Sequence, residues 1–261
     1  MVRKLFVGAL FVLLLVARHT MAQTVVLDYY FNHETHKTNT GEVKRFHYLW
    51  DEDTNPGFAI WGNIFKSKGA TLSSLDVAPT VKNLKTASVY IIVDPDSKKE
   101  NPNPNYITKA DANQVAQWVK AGGVLVMMAN DSANVELTHF NILANTFGLH
   151  FNNDLQNHVL DDAHFDDGAV AVSNNPVFRT AKNIFMKDVC SIALKGNALP
   201  VLKAANGSII ATITKYGKGT VFAVGDPWLY NEYVNGRLPA GFDNDKAAAD
   251  LAAYLLSLSK K

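Results

Sequence analysis

The sequence predicts an α/β protein built on a doubly wound, mostly parallel sheet. Three observations lead to this prediction. Short apolar runs rich in β-branched residues alternate with stretches of helical period through the first half of the chain. Several of these runs end in acidic or amide side chains beside Gly or Pro, as buried strands do at a turn. At about residues 152–216 the pattern changes to short alternating runs separated by Asn, Gly and Pro, which predicts added antiparallel strands.

The N-terminal residues 1–22 have the pattern of a secretory signal peptide. Met1 to Lys4 is basic, and the apolar run 5–16 is too short to span a bilayer comfortably. Thr20-Met21-Ala22 offers small residues for cleavage before Gln23, where no Cys indicates a lipoprotein. We therefore expect a periplasmic or secreted protein with no membrane attachment after cleavage, and a single α/β domain over residues 23–261.

Composition narrows the function classes. The 261 residues are 48% hydrophobic and 19% charged, which is enough apolar material for a buried core. The formal net charge is +1 with no basic stripe, so nucleic acid is a poor partner. Cys190 is the single cysteine, which excludes an internal disulfide, and its apolar surroundings indicate a small core residue.

The first half alternates strands and helices. A strand at 24–29 leads into a long polar and aromatic loop, 31–55, and a loop of that length is usually functional or disordered. Asn55-Pro56-Gly57 predicts a helix start with Asn as N-cap and Pro at the first position. Thr108 and Asp111 form the pattern of a capping box. The remaining elements here are strands at 70–75, 88–93 and 124–128 and helices at 56–68, 108–120 and 135–147.

The second half begins with the antiparallel part and returns to the central sheet. Asn206-Gly207 is typical of a hairpin turn. The run Gly219 to Val224 predicts a buried strand that stops at Gly225-Asp226-Pro227, and a final amphipathic helix at 243–256 covers the sheet. The alternating runs predicted as antiparallel strands are 169–172, 184–192, 199–202 and 209–214.

Acidic and amide side chains follow four of the predicted strands. In open α/β sheets, ligands bind beyond the carboxyl ends of the strands, so we expect these turns to converge on one pocket. The residues concerned are Asp28, Asp94, Asp96, Asn130, Asp131 and Asp226. Single aspartates often only cap turns or helices, and carboxylates also suit a divalent cation. With Trp228 and Tyr230 close to Asp226 in the sequence, we favour a site that binds sugar hydroxyls.

Several familiar catalytic motifs are absent from the sequence. It contains no Gly-x-Ser-x-Gly elbow, no phosphate-binding glycine loop after a strand, no His-Glu-x-x-His and no Cys-x-x-Cys. After the strand at 124–128, where related folds can carry a nucleophile, the chain has Asn130-Asp131. Acyl transfer and glutaminase chemistry are therefore disfavoured.

The long first loop carries the histidine best suited to proton transfer. His33 and His36 lie in a polar run and are best interpreted as solvated loop residues. His47 is flanked by Arg45 and by aromatic residues, a combination that suits proton abstraction beside a carboxylate. The alternative, a loop histidine with an ordinary hydrogen bond, is equally compatible with the pattern.

Four stretches of the sequence resemble one family. They are Arg45-Phe46-His47-Tyr48-Leu49-Trp50-Asp51, Tyr90 to Asp96, Trp118 to Leu125 and Gly217 to Tyr233. They resemble the glutamine-amidotransferase-like domain of Bacteroidetes polysaccharide-utilisation proteins, which often accompanies unsaturated rhamnogalacturonyl or glucuronyl hydrolases. The resemblance covers nearly all of the chain after residue 22, without the helical catalytic barrel of those hydrolases. It implies a glutamine-amidotransferase-like or flavodoxin-like sheet.

The chain also resembles the oligosaccharide dehydratases of ulvan-degrading loci. That resemblance implies removal of water from a non-reducing-end glucuronic acid, giving a 4,5-unsaturated uronate for a partner unsaturated glucuronyl hydrolase. Such chemistry needs a cation on the carboxylate, a base for the C5 hydrogen and an acid for the C4 hydroxyl. We assign the first role to Arg45, with a bound divalent cation as the alternative. His47 and Tyr230 are the base and the acid, in either order.

The remaining candidates would bind the oligosaccharide. Trp50 and Trp228 are predicted stacking platforms, and the hydroxyl-binding residues are predicted to be Asp94, Asp96, Asn130, Asp131, Asp226 and Asn231. Two other functions stay open from the sequence. One is a non-catalytic carbohydrate-binding or accessory module of a polysaccharide-degradation system. The other is a hydrolase that uses two of the carboxylates.

Overall fold

The computed structural model describes residues 22–131 and 134–259 of the 261-residue chain. Apart from Ala22, the predicted signal peptide at 1–22 lies outside the described residues. Within the described ranges, no helix has the length and apolar character needed to cross a bilayer.

Thirteen strands and five α-helices make up the regular structure of the described residues. The strands are β1 (Thr24–Asp28), β2 (Thr35–Lys37), β3 (Val43–Arg45), β4 (Thr71–Leu75), β5 (Ala87–Val93), β6 (Val124–Met128), β7 (Leu149–Phe151), β8 (Ala169–Ala171), β9 (Asn183–Phe185), β10 (Ile192–Leu194), β11 (Leu199–Lys203), β12 (Ile209–Tyr216) and β13 (Gly219–Val224). The helices are α1 (Ala59–Ser67), α2 (Lys109–Lys120), α3 (Leu137–Thr146), α4 (Asn231–Val234) and α5 (Asn244–Leu258), with a 3₁₀ helix at Asp162–Gly168.

Seven of these strands form the main sheet, in the order β11-β12-β13-β6-β5-β1-β4. The strands from β13 to β4 pair in parallel, whereas β11, β12 and β13 pair antiparallel at one edge. The predicted α/β fold with a mostly parallel sheet is therefore confirmed. Three two-stranded sheets, β2–β3, β7–β10 and β8–β9, lie outside it.

Helices cover both faces of the sheet. On one face, Trp61 of α1 and Leu251 of α5 pack with alternate strand residues such as Ile91. On the other face, Val115 of α2 and Phe140 of α3 pack with the intervening strand residues. Strands β5, β6 and β13 are buried along their whole length, which explains why they appear in the sequence as unbroken apolar runs.

Several local predictions are confirmed and two are wrong. Thr108 and Asp111 form the predicted capping box of α2, and Asn206-Gly207 connects the antiparallel strands β11 and β12. The helix predicted from Asn55-Pro56 begins only at Ala59, because the segment before it is a turn in which Gly57 lies against the backbone of Glu52.

The run at 184–192 was expected to form one strand. It instead forms β9 and β10, separated by a connection, 186–191, that crosses the end of β13. The Cys190 N–H donates to the Gly225 carbonyl at 3.1 Å, and a Cβ at Gly225 would meet the Cys190 oxygen at 1.8 Å. Glycine is therefore required there, and this close approach brings the connection to the carboxyl edge of the sheet.

Candidate functional site

The carboxyl ends of three neighbouring strands meet in one cavity. Asp94 follows β5, Asn130 and Asp131 follow β6, and Asp226 follows β13, and these strands are adjacent in the sheet. The cavity has a volume of about 330 Å³. Its lining residues are His47, Tyr48, Pro56, Asp94, Glu100, Asn130, Asp131, Asn134, Lys187, Asp188, Asp226, Tyr230 and Glu232.

The segment that follows β3 closes one side of this cavity. Two consecutive residues of this segment have backbone angles in the left-handed region. His47 has φ 73° and Tyr48 has φ 57°, which is costly for side chains of this size. The two rings stack on each other at a centroid distance of 4.4 Å, and Phe46 stacks on the other side of His47 at 4.5 Å. The Tyr48 N–H donates to the Pro56 carbonyl at 2.9 Å. These contacts fix the histidine ring at the cavity.

His47 is also oriented by a carboxylate. Its Nδ1 lies 2.8 Å from Oε1 of Glu34, and the Glu34 side chain is largely buried. This pairing favours the tautomer in which Nδ1–H donates to Glu34, so the Nε2 atom carries the free lone pair. A histidine held by a carboxylate in this way has the arrangement of a general base.

Asp94 is the most constrained carboxyl of the site. It is 4% exposed and has a φ of 43°. Its Oδ2 accepts hydrogen bonds from the Tyr48 hydroxyl and from Nδ2 of Asn130, both at 3.1 Å. Burial, together with the nearby Glu100, raises the pKa of Asp94 well above its ordinary value. Asp94 therefore holds its proton to a higher pH than an ordinary aspartate does.

Asp226 is a second buried carboxyl in the same cavity. Burial is the main reason that its pKa is raised well above the ordinary value, and Asp188 adds to the shift. Lys187 acts in the opposite direction. Lys187 and Asp188 come from the connection 186–191 that lies against the end of β13, and their side chains are 3.9 Å apart.

Tyr230 lines the cavity beside Tyr48, with their rings edge to face at 6.0 Å. Burial raises the pKa of the Tyr230 phenol well above its ordinary value, and its hydrogen bond with Tyr233 raises it further. The phenol is therefore neutral at any physiological pH. Together with His47 it places both predicted proton-transfer residues at one cavity.

Of the acidic turns predicted to converge, the one at Asp28 is elsewhere. Its Oδ1 accepts from the Tyr90 hydroxyl at 2.5 Å, and its Oδ2 accepts from the backbone N–H of Phe31 at 2.7 Å. Tyr90 and Phe31 belong to the core on the α2 and α3 face of the sheet. Asp28 is absent from the cavity lining because its carboxyl is used within that core.

Two predicted substrate contacts in the first loop also lie outside the cavity lining. Arg45 forms an ion pair with Asp76, donates to the Tyr29 carbonyl at 2.7 Å and stacks over the Tyr29 ring at 4.1 Å. Trp50 packs against Trp61 of α1, and its indole N–H donates to the Ser73 carbonyl of β4. The sequence could not show that these side chains have partners near the β1–β4 edge.

Three further predicted residues serve the structure around the site. Asp96 accepts the His33 N–H with both oxygens and is hydrogen-bonded by Asn101, and burial raises its pKa to about 6. Trp228 is fully buried, so it presents no ring face to a sugar. Asn231 holds the first loop to α1, because its Nδ2 donates to the Glu52 and Thr54 carbonyls and its Oδ1 accepts the Ile60 N–H.

Sequence reasoning missed eight residues of the site. They are Glu34, Tyr48, Pro56, Glu100, Asn134, Glu232, Lys187 and Asp188. For the last two, a signal was present: the polar pair Lys187-Asp188 interrupts the apolar run 184–192, which a single buried strand would not tolerate. Glu34 carried no such signal, because its pairing with His47 depends on the short hairpin β2–β3 that lies between them.

A larger depression of about 500 Å³ lies beside α3 and β7. Its buried polar side chain, Asn141, already bonds the Phe151 backbone through both amide atoms. Across residues 22–131 and 134–259, no group of three or more His, Cys, Asp or Glu side chains is placed to hold a metal ion. The cavity at the sheet edge is therefore the stronger candidate site.

Comparison with known proteins identifies the fold and nothing finer. No protein-family model and no curated protein matches this sequence. Among solved structures, the mmIFT52 N-terminal domain has a TM-score of 0.66 at 17% identity, covering 89% of this chain and 97% of its own. The cytoplasmic protein STM1381 from Salmonella typhimurium LT2 has a TM-score of 0.59 at 14% identity, covering 92% of this chain and 100% of its own.

A β-galactosidase from Rahnella sp. R3 has a TM-score of 0.54 at 15% identity. The match covers 92% of this chain but 32% of the galactosidase. At such identities these likenesses show a shared α/β fold alone.

Proposed function

We propose that this protein is an exported oligosaccharide dehydratase, a carbon–oxygen lyase. It would remove water from the non-reducing-end glucuronic acid of ulvan-type oligosaccharides and leave a 4,5-unsaturated uronate for a partner unsaturated glucuronyl hydrolase. The observation that carries the proposal is that His47, oriented by Glu34, shares one cavity with acid groups whose pKa values are raised by burial. We further propose that the sheet belongs to the glutamine-amidotransferase-like or flavodoxin-like class.

Proton abstraction would fall to His47. With Nδ1–H donating to Glu34, Nε2 can accept the C5 hydrogen of the sugar, and the Glu34 carboxylate stabilises the imidazolium that results. The stacked rings of Phe46 and Tyr48 keep the imidazole plane fixed during the transfer. A base prepared in this way contributes roughly 10²–10⁴-fold to the rate.

The carboxylate beside the C5 hydrogen must also lose part of its charge. Arg45 is engaged with Asp76 and Tyr29, so the proposal gives this role to groups that line the cavity. Lys187 is the one lysine or arginine among the described lining residues. Burial raises the pKa of Asp226, and when it is protonated it adds no repulsion and can share its proton with the sugar carboxylate.

A second candidate is a non-catalytic carbohydrate-binding module. The cavity is lined mainly by polar side chains, including the amides of Asn130 and Asn134, and such groups bind hydroxyls without any reaction. Stacking platforms are important in most sugar sites, but Trp50 and Trp228 do not line this cavity. Among the described residues, Tyr48 and Tyr230 are the only tyrosines that line the cavity.

Saturated glucuronate-terminated ulvan oligosaccharides provide the test. We expect the purified protein to reduce the mass of the intact oligosaccharide by one water and to produce the ultraviolet absorbance of a conjugated uronate. The matched control substrate carries terminal glucose, which lacks the carboxylate that acidifies the C5 hydrogen, and should not react. Retention of the sugar without a mass change would favour the binding module, and new reducing ends would favour a hydrolase.

A further inference from the structure

The hydrogen bonds of Asp94 divide its two oxygens into different roles. Oδ2 accepts from both Tyr48 and Asn130, each at 3.1 Å. Oδ1 is buried and has no hydrogen-bond partner among residues 22–131 and 134–259. Most buried carboxyl oxygens find a donor, so an oxygen left free beside a cavity calls for an explanation.

When Asp94 is protonated, this division of hydrogen bonds indicates which oxygen carries the proton. The oxygen that accepts two hydrogen bonds is the carbonyl oxygen of a carboxylic acid, because a hydroxyl oxygen surrounded by donors would leave its own hydrogen without an acceptor. The proton therefore belongs on Oδ1. Protonated Asp94, which lines the cavity, then has a hydrogen-bond donor that is unpaired among the described residues.

The surroundings of Asp94 hold it in this state. Its backbone N–H donates to the Met128 carbonyl at 2.8 Å, and its carbonyl accepts from Asn32 at 3.0 Å, so both sides of the left-handed residue are anchored. Glu34 and Glu100 face it and raise its pKa. The hydrogen bonds from Tyr48 and Asn130 act in the opposite direction, but burial is the larger effect.

Tyr230, which the sequence indicates as a possible acid, is less available. Its hydroxyl is already hydrogen-bonded to Tyr233, and that bond favours the protonated phenol. A phenol whose pKa is raised well above its ordinary value is also a weak acid for transfer to a hydroxyl. Asp94 offers a stronger acid with an unengaged proton.

We propose that Asp94 is the catalytic acid that protonates the departing C4 hydroxyl, with Tyr48 and Asn130 as the residues that position it. The inference rests on the proposed function and assigns a role at the same site. His47 Nε2 removes the C5 hydrogen, the electron pair of that bond forms the C4–C5 double bond, and the C4–O bond breaks. The leaving oxygen takes the Oδ1 proton of Asp94 and departs as water. The Asp94 carboxylate then regains a proton from solvent, to which His47 releases its own.

The first experiment compares leaving groups in wild type and Asp94→Asn. Asparagine tolerates the left-handed backbone and keeps the shape of the neutral acid, but it cannot transfer a proton. The probes are a glucuronate-terminated oligosaccharide and its 4-deoxy-4-fluoro analogue, because fluoride leaves without being protonated. We expect D94N to lower turnover by about 10²–10⁴-fold with the hydroxyl substrate and by about tenfold or less with the fluoride.

Two variants serve as controls. Asp28→Asn changes a buried aspartate that lies outside the cavity and should keep the wild-type rate on both substrates. Asp226→Asn tests the other neutral carboxyl of the cavity. If D226N shows the leaving-group dependence and D94N does not, or if D94N slows both substrates equally, the assignment to Asp94 is overturned while the proposed function stands. If wild type releases neither water nor fluoride, both proposals fall.

The second experiment detects the proton without turnover. Infrared difference spectra between wild type and D94N should contain the stretching band of a protonated carboxyl at mildly alkaline pH. Asp28, with a pKa of about 7, loses its own band under those conditions, and D28N identifies it. A wild-type spectrum with no band assignable to Asp94 would show that the residue is ionised and would overturn the inference.

Discussion

Two aspartates lie at the ends of neighbouring parallel strands: Asp28 is the last residue of β1, and Asp94 is the first residue after β5. Both are buried, and burial raises the pKa of both. Asp28 has a donor on each oxygen, from Tyr90 and from the backbone after β1. Asp94 has donors on one oxygen and a cavity beside it.

Burial and a raised pKa are therefore not sufficient to identify a carboxyl group that takes part in catalysis. A carboxyl whose oxygens are both satisfied stabilises the fold, and its position after a strand is a matter of turn structure. A carboxyl that keeps one oxygen without a partner among the described residues, in a left-handed backbone, as Asp94 does, is not accounted for by the turn alone, and this is the basis of its proposed catalytic role.

His47→Gln should lower turnover of the glucuronate substrate by about 10²–10⁴-fold, because glutamine cannot accept the C5 hydrogen. Rates of double-bond formation measure this. His164→Gln is the matched control, since His164 also bonds a carboxylate, that of Asp161, but lies outside the cavity. Equal losses of turnover in the two variants would mean that the histidine in the cavity has no catalytic role that a histidine outside it lacks.

Stability should fall as pH rises from the ordinary Asp value of 3.8 to about 7. The folded protein holds the Asp28 proton more tightly than the unfolded chain, so folded molecules bind more protons in this window and the free energy of unfolding decreases. The cost of ionising Asp28 is on the order of 4 kcal/mol. Urea unfolding across this range measures the change.

Asp28→Asn should make that decline shallower, because asparagine has no proton to lose. Asp94 and Asp226, whose pKa values burial also raises, contribute to the decline in the same direction. A free energy of unfolding that rises through the window would contradict the assignment of neutral buried carboxyls.

The two tyrosines that donate hydrogen bonds to these aspartates should also differ in how much they contribute to the free energy of unfolding. Tyr90→Phe leaves Oδ1 of Asp28 without its side-chain donor and should cost about 1–3 kcal/mol of unfolding free energy. Tyr48→Phe should cost about 0.5–1.5 kcal/mol, because Asn130 still donates to the same oxygen of Asp94. Chemical denaturation of both variants gives the comparison, and a larger loss for Tyr48→Phe would reverse it.

Much of the main sheet can be predicted from the sequence. The apolar runs that became β5, β6 and β13 and the polar residues that follow them were sufficient to predict that Asp94, Asp131 and Asp226 follow strands of one sheet. Hydrophobic periodicity and turn-forming residues are local features, so they can be recognised from the sequence alone. The capping box at Thr108 and the hairpin turn at Asn206-Gly207 are of the same kind.

What the sequence could not supply is the partner of each polar side chain. From the sequence alone, Arg45 is a suitable residue to bind the substrate carboxylate. In the structure it forms an ion pair with Asp76, 31 positions away. Trp228 follows an acidic turn, as a stacking platform would, yet it is fully buried. The Glu34–His47 pair and the contact of the 186–191 connection with Gly225 likewise depend on distant segments meeting.

The most direct test of the account measures turnover and the free energy of unfolding on the same preparations of Asp94→Asn and Asp28→Ala. Asparagine reproduces the hydrogen bonds of neutral Asp94, so D94N should lose about 10²–10⁴-fold in turnover and about 1 kcal/mol or less in stability. Asp28→Ala leaves Tyr90 and the backbone N–H of Phe31 without their acceptor. At mildly acidic pH it should lose about 1–3 kcal/mol and keep its turnover. If both variants lose the same property, the distinction between a structural and a chemical aspartate is contradicted.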